Sequence, residues 1–74
     1  MTNPLQEVDA RGLSCPEPLW LTKSALDGMT AGMLVVLVDD PTALANVTRL
    51  AEQQGCTVET NEDGDDYHVC ITKA

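Results

Sequence analysis

Residues 33–38 read MLVVLV, the longest apolar run in the chain. Six residues are too few to cross a bilayer, which takes about 20 in a helix. The run therefore reads as a β-strand, central in its sheet and covered on both faces. TAG at 30–32 is the turn that leads into it, and Asp39 and Asp40 end it. A chain of 74 residues makes one domain, spanning 1–74. Such a domain buries only about 60% of its unfolded surface.

The segments around the run fill in the layers. LQEVD at 5–9 alternates weakly and predicts a short strand. ARGLSC is a loop. PEPLWLTKSALDG at 16–28 predicts a helix stopped by Gly28. At about 100° per residue, Pro18, Leu19, Leu21, Thr22, Ala25, Leu26 and Met29 share its inner face. Glu17, Trp20, Lys23, Ser24 and Asp27 share the outer one. Asp40 followed by Pro41 is an N-cap with proline at the first helical position. The helix after it presents Ala43, Leu44, Val47, Leu50 and Ala51 inward and closes at Gly55. CTVET at 56–60 and DYHVCIT at 66–72 are alternating strands joined by the polar turn NEDGD. The order is β-α-β-α-β-β. Two helices cannot cover both faces of such a sheet. The fold class is therefore a two-layer α/β (α+β) sandwich, a four-stranded mixed sheet with two helices on one face.

Charge and cysteine usage exclude several functions. Twelve Asp or Glu against four Lys or Arg give a formal net charge of −8. That balance opposes a phosphate backbone and so opposes direct nucleic-acid binding. MTNPLQEVDA carries no basic-then-apolar signal, so the expected location is cytoplasmic, with no membrane partner. Three cysteines, Cys15, Cys56 and Cys70, with no CxxC spacing do not describe a disulfide scaffold, a thioredoxin-type centre or a zinc ribbon. NEDGDD fails the EF-hand spacing and reads as a solvated turn.

The residues that carry chemistry are in GLSCPEPLW at 12–20. With Cys15 as N-cap, Pro16 is N1 and Pro18 is N3. Neither proline then removes a hydrogen bond the helix would have made, and their fixed φ angles stiffen the turn. The Glu17 N–H still needs an acceptor, and the Cys15 sulfur is the nearest. Helix N-termini lower thiol pKa values, so the Cys15 thiol is expected to titrate below its ordinary value. Arg11 in the same loop adds to that effect, while Asp9 and Glu17 oppose it. The plainer reading is a small buried cysteine at an ordinary helix start.

VDARGLSCPEP at 8–18 resembles the signature of the TusA-like sulfur carriers, the group that includes SirA and YedF proteins. The likeness runs on through the 28–32 turn, VDDP at 38–41, the following helix, Gly55 and the hairpin. It implies the same fold. It also implies that Cys15 accepts a sulfane sulfur as a persulfide and hands it on, supported by Arg11, Gly12, Pro16, Glu17 and Pro18, with no metal or organic cofactor. The partners it implies are a sulfur-donor protein, such as a cysteine desulfurase or a rhodanese-like protein, and a cysteine-bearing acceptor such as a DsrE-type protein. Asn46 stands where relatives of the tRNA-thiolating branch usually carry Asp, which leaves the recipient open among tRNA thiolation, molybdenum-cofactor sulfuration, sulfur oxidation and selenium metabolism.

Other residues have plainer expected roles. Cys56 and Cys70 are expected to pack in strands. His68 and Cys70 form an H-x-C pair, with Cys56 a conceivable third ligand, but no complete metal set is visible. Trp20 fits two roles, as partial core or as an exposed aromatic anchor for a partner. In the second, Leu19 and Leu21 face the core. The rival to a sulfur carrier is a regulatory or interaction module on the same fold without sulfur chemistry. An RNA-binding module is opposed by the charge. The apolar residues of 33–38 on the face away from the helices fit a monomer or a weak dimer.

Overall fold

The computed structural model describes residues 5–13 and 17–73. Its elements are β1 (Leu5–Asp9), α1 (Glu17–Asp27), β2 (Gly32–Val38), α2 (Pro41–Gln53), β3 (Thr57–Asp63) and β4 (Asp66–Lys73). The β-α-β-α-β-β order is the expected one. The sheet order is β1-β2-β4-β3. β1 and β2 are parallel, while β4 runs antiparallel to both β2 and β3. The sheet is mixed, as the two crossover connections and the closing hairpin require.

β2 is central, with β1 on one side and β4 on the other. Only one of its faces is covered, which corrects the expectation of burial on both. Leu34, Val36 and Val38 are fully buried, while Met33 is 43% exposed and Val35 and Leu37 are half-buried. The reason is the supply of helices. Both pack on the same side, so the period-2 alternation of a strand leaves every second apolar residue on the open face. The covered face joins Leu34, Val36, Val38, Val69 and Ile71 to Leu26, Met29, Ala43, Val47 and Ala51 in one core. Full burial of each such branched side chain contributes about 1.5–3 kcal/mol.

In α1, Pro18, Thr22 and Leu26 form the buried stripe. The Thr22 hydroxyl avoids a polar penalty by donating to the Pro18 carbonyl at 2.8 Å. Leu21 does not face the core; it is 40% exposed. One residue before Thr22, it lies about 100° round the helix from the centre of the stripe, beyond the width that the sheet covers. The helix C-terminus is sealed from the far end of the chain. The Lys73 ammonium donates to the carbonyls of Leu26 at 2.6 Å and Met29 at 2.7 Å, where the helix dipole favours a cation.

α2 carries both expected caps. The Asp40 carboxylate accepts from the Ala43 N–H at 3.0 Å, with Pro41 following. At the other end Gly55 takes φ +83°. Its N–H donates to Glu52 and that of Cys56 to Ala51, both at 3.0 Å, which is a Schellman arrangement. Cys56 therefore belongs to this cap, just before β3, and not to a strand as expected. The hairpin is also tighter than NEDGD suggests. Asp63 pairs with Asp66, so the loop is Gly64–Asp65 alone. Gly64 has φ +63° and no non-glycine residue among those described has positive φ. That pattern fits a type II′ turn, whose twist matches the flanking strands and carries the pairing through to Asp63.

Candidate functional site

Parallel β1 and β2 end at the same edge of the sheet, and antiparallel β4 begins there. Three carboxylates converge on this edge, Asp9 from the end of β1, Asp39 just after β2 and Asp66 at the start of β4. Between them runs the loop that leads from β1 toward α1.

The loop leaves the sheet through a tight turn. The Leu13 N–H donates to the Ala10 carbonyl at 3.4 Å, and Gly12 between them takes φ +76°. A glycine at the third position of such a turn suits type II geometry, which other residues enter only with strain. Ala10 is held to the sheet by its N–H on the Leu37 carbonyl at 2.8 Å.

Side chains fix the turn further. The Arg11 guanidinium meets Asp9 as a fork, Nε to Oδ1 and Nη2 to Oδ2, each at 2.9 Å. The Arg11 backbone N–H donates to the same carboxylate at 3.1 Å. Its Nη1 reaches across to Asp66 Oδ2 at 3.0 Å. Asp39 Oδ2 accepts from the Gly12 N–H at 3.0 Å. These contacts are exposed, where ion pairs contribute little stability. Their effect is directional, because a planar fork between two carboxylates sets both the position and the tilt of the loop.

The electrostatics follow from the same contacts. The hydrogen bonds from the Arg11 side chain and N–H hold the Asp9 pKa down from 3.8 to about 2. The two carboxylates raise that of Arg11 above its usual range. The guanidinium is thus shared between Asp9 and Asp66, and with Asp39 the contacts to the loop set three carboxylates against one cation. The expected contribution of Arg11 to the field at Cys15 falls on a residue outside the described ones.

Cys15 and Pro16, with the expected N-cap geometry, lie outside the described residues. On the helix side, α1 begins at Glu17, which is exposed, and Pro18 sits in its first turn, buried. Trp20 is 64% exposed on the outer face of that turn, so it is not part of the core. Exposed Leu21 joins it. The structure thus brings Arg11 and Gly12 into one clamp and places Trp20 and Leu21 outward on the helix that follows.

The other candidates separate. Cys56 packs against the core on the helix side of the sheet. His68 and Cys70 share the open face, opposite Leu37 and Val35. His68 Nε2 is 3.5 Å from Asp63 Oδ2. Among the described residues no three of His, Cys, Asp and Glu are grouped to hold a metal ion. The sequence marks Asp39 only as a strand stop and Asp66 only as the first residue of a strand. Their partners lie 27 and 55 residues away, a separation at which no spacing pattern signals contact.

The fold and this loop define a small two-layer α/β domain with a clamped turn at 10–13 ahead of α1. The family described as Sulfurtransferase TusA matches residues 6–73, and this chain belongs to that family. It is 35% identical over 71 residues to the sulfur carrier protein TusA of Allochromatium vinosum, a match covering 93% of each chain. Among solved structures it is similar to a SirA-like protein from Desulfitobacterium hafniense. The TM-score is 0.85 at 32% identity, with 93% of this chain and 97% of that one covered.

The clamp has a pH signature. A carboxylate whose folded pKa is depressed contributes stability that is complete above its unfolded value and is lost as pH falls through the folded one. For Asp9 that window lies between 3.8 and about 2. Following the Asp9 carboxyl carbon by NMR should give a midpoint close to the lower limit. Arg11→Ala should return it toward the upper one. A native midpoint already at the ordinary carboxylate value would contradict the clamp.

Proposed function

We propose that this chain is a cytoplasmic sulfur carrier that holds a sulfane sulfur on Cys15 and relays it between larger proteins. The observation that supports it most is the family match over residues 6–73, which includes the whole CPEP segment. The relative in Allochromatium vinosum is itself named a sulfur carrier.

The chemistry is an exchange at sulfur. The Cys15 thiolate attacks the terminal sulfur of a donor persulfide, R–S–SH. The new bond is Cys15 Sγ–S, the bond broken is the donor S–S, and the donor leaves as its thiolate. The cysteine of an acceptor then attacks the outer sulfur of Cys15–S–SH, and Cys15 is released as thiolate. Donors of the cysteine desulfurase or rhodanese class suit the first step. An acceptor with its own accessible cysteine, such as a DsrE-type protein, suits the second.

The test is where sulfur lands. After incubation with a cysteine desulfurase and cysteine, intact mass should rise by one sulfur, and peptide mapping should place it on Cys15. Cys15→Ser should not load, whereas Cys56→Ser with Cys70→Ser should load as the native chain does. Loading that survives Cys15→Ser would overturn the assignment.

Transfer between two proteins requires their cysteines to meet, so the surface round Cys15 must dock. Trp20, exposed in the first turn of α1, is the proposed anchor, and exposed Leu21 extends it. Aromatic side chains at interface centres often carry about 2 kcal/mol or more of binding. Trp20→Ala should therefore weaken donor or acceptor affinity by about tenfold or more, without lowering the thermal midpoint. Fluorescence of the single tryptophan should report the docking. A variant that unfolds with no separate transfer defect would show that Trp20 serves the fold and not the partner.

A further inference from the structure

We infer that Asp39 and Asp66 are positioning residues for the cysteine-bearing loop, an inference that rests on Cys15 being the sulfur-carrying residue. Neither lies in the 8–18 segment. Asp39 follows β2 and Asp66 opens β4, yet each makes one direct contact to the loop. Asp39 Oδ2 accepts from the Gly12 N–H and Asp66 Oδ2 from Arg11 Nη1, both at 3.0 Å.

The geometry shows why two distant residues are needed. Asp9, the last residue of β1, lies only two residues before Arg11 and ties the turn to its own strand alone. A loop held by local bonds alone is free to swing as a unit about the end of β1. Asp39 ties the turn to the β2–α2 junction and Asp66 ties it to the hairpin, so the loop is fixed at three separate points of one sheet edge. Small displacements of a reacting group cost large factors in rate, and Cys15 follows Gly12 by three residues. Asp39 and Asp66 also carry negative charge, which opposes a thiolate nearby. Acceptor and charge therefore act in opposite directions on Cys15, and a substitution that removes both at once cannot tell them apart.

Two neutral variants at each position separate these effects. Asp39→Asn and Asp39→Ala remove the same charge, but only Asn retains an oxygen acceptor for the Gly12 N–H. The same holds for Asp66→Asn and Asp66→Ala toward Arg11. The measurement is the rate of sulfur loading on Cys15 from a cysteine desulfurase at saturating donor, with thermal midpoints in parallel. The Ala variant should load about three- to tenfold more slowly than its Asn counterpart, as loss of one hydrogen bond implies. The donor concentration at half-maximal rate should stay unchanged. Where Asp39→Ala does not fold, the Asp66 pair supplies the comparison.

Ala and Asn variants that load at equal rates, or an Ala deficit that disappears below the melting transition, would overturn the positioning role. Native protein that does not load on Cys15 would overturn the carrier reading and this inference with it. Native loading with equal variant pairs would overturn this inference alone.

Discussion

The pairing of β2 on both its edges governs the rest of the molecule. As the central strand it takes β1 in parallel and β4 antiparallel, which brings the end of β1, the end of β2 and the start of β4 to one sheet edge. Its alternation decides the layers. Leu34, Val36 and Val38 turn toward the helices, and the acidic residues at the ends of these strands are left in solvent at that edge. A one-residue slip of β2 would turn Met33, Val35 and Leu37 inward and scatter the three carboxylates that hold the loop.

The cluster at that edge is the chemical consequence. Arg11 is clasped by Asp9 and Asp66, and Gly12 is held by Asp39. The cation of the signature is thus held in place by two carboxylates. α1 is anchored at its far end by Lys73 on the carbonyls of Leu26 and Met29, so the helix that carries Trp20 is fixed with respect to the sheet.

Much of this was legible in the sequence where the signal is local. The caps at Asp40 and Gly55, the outward place of Trp20 and the order of elements follow from residue type and period. What was not legible depends on the number of covering layers or on distant contact. MLVVLV has the same letters whether one face or two are covered, so the open face of Met33, Val35 and Leu37 appears only when both helices fall on one side. Leu21 falls within the broad inner arc at about 100° per residue, but it lies beyond the width of the buried stripe. Cys56 reads as the start of a strand until the Schellman bonds show it closing a helix. The roles of Asp39 and Asp66 rest on partners far away in the chain. Arg11 and Gly12 stand inside the motif, while Asp39 and Asp66, which hold them, stand outside it.

The central claim is that the chain holds a reactive thiolate at Cys15, beside the start of α1. The pH dependence of Cys15 alkylation by iodoacetamide, resolved from Cys56 and Cys70 by peptide mass, tests it most directly. The account predicts a Cys15 midpoint below the free-cysteine value of about 8.5. A midpoint at or above that value would mean that the carboxylates of the sheet edge outweigh the helix start, and would contradict it.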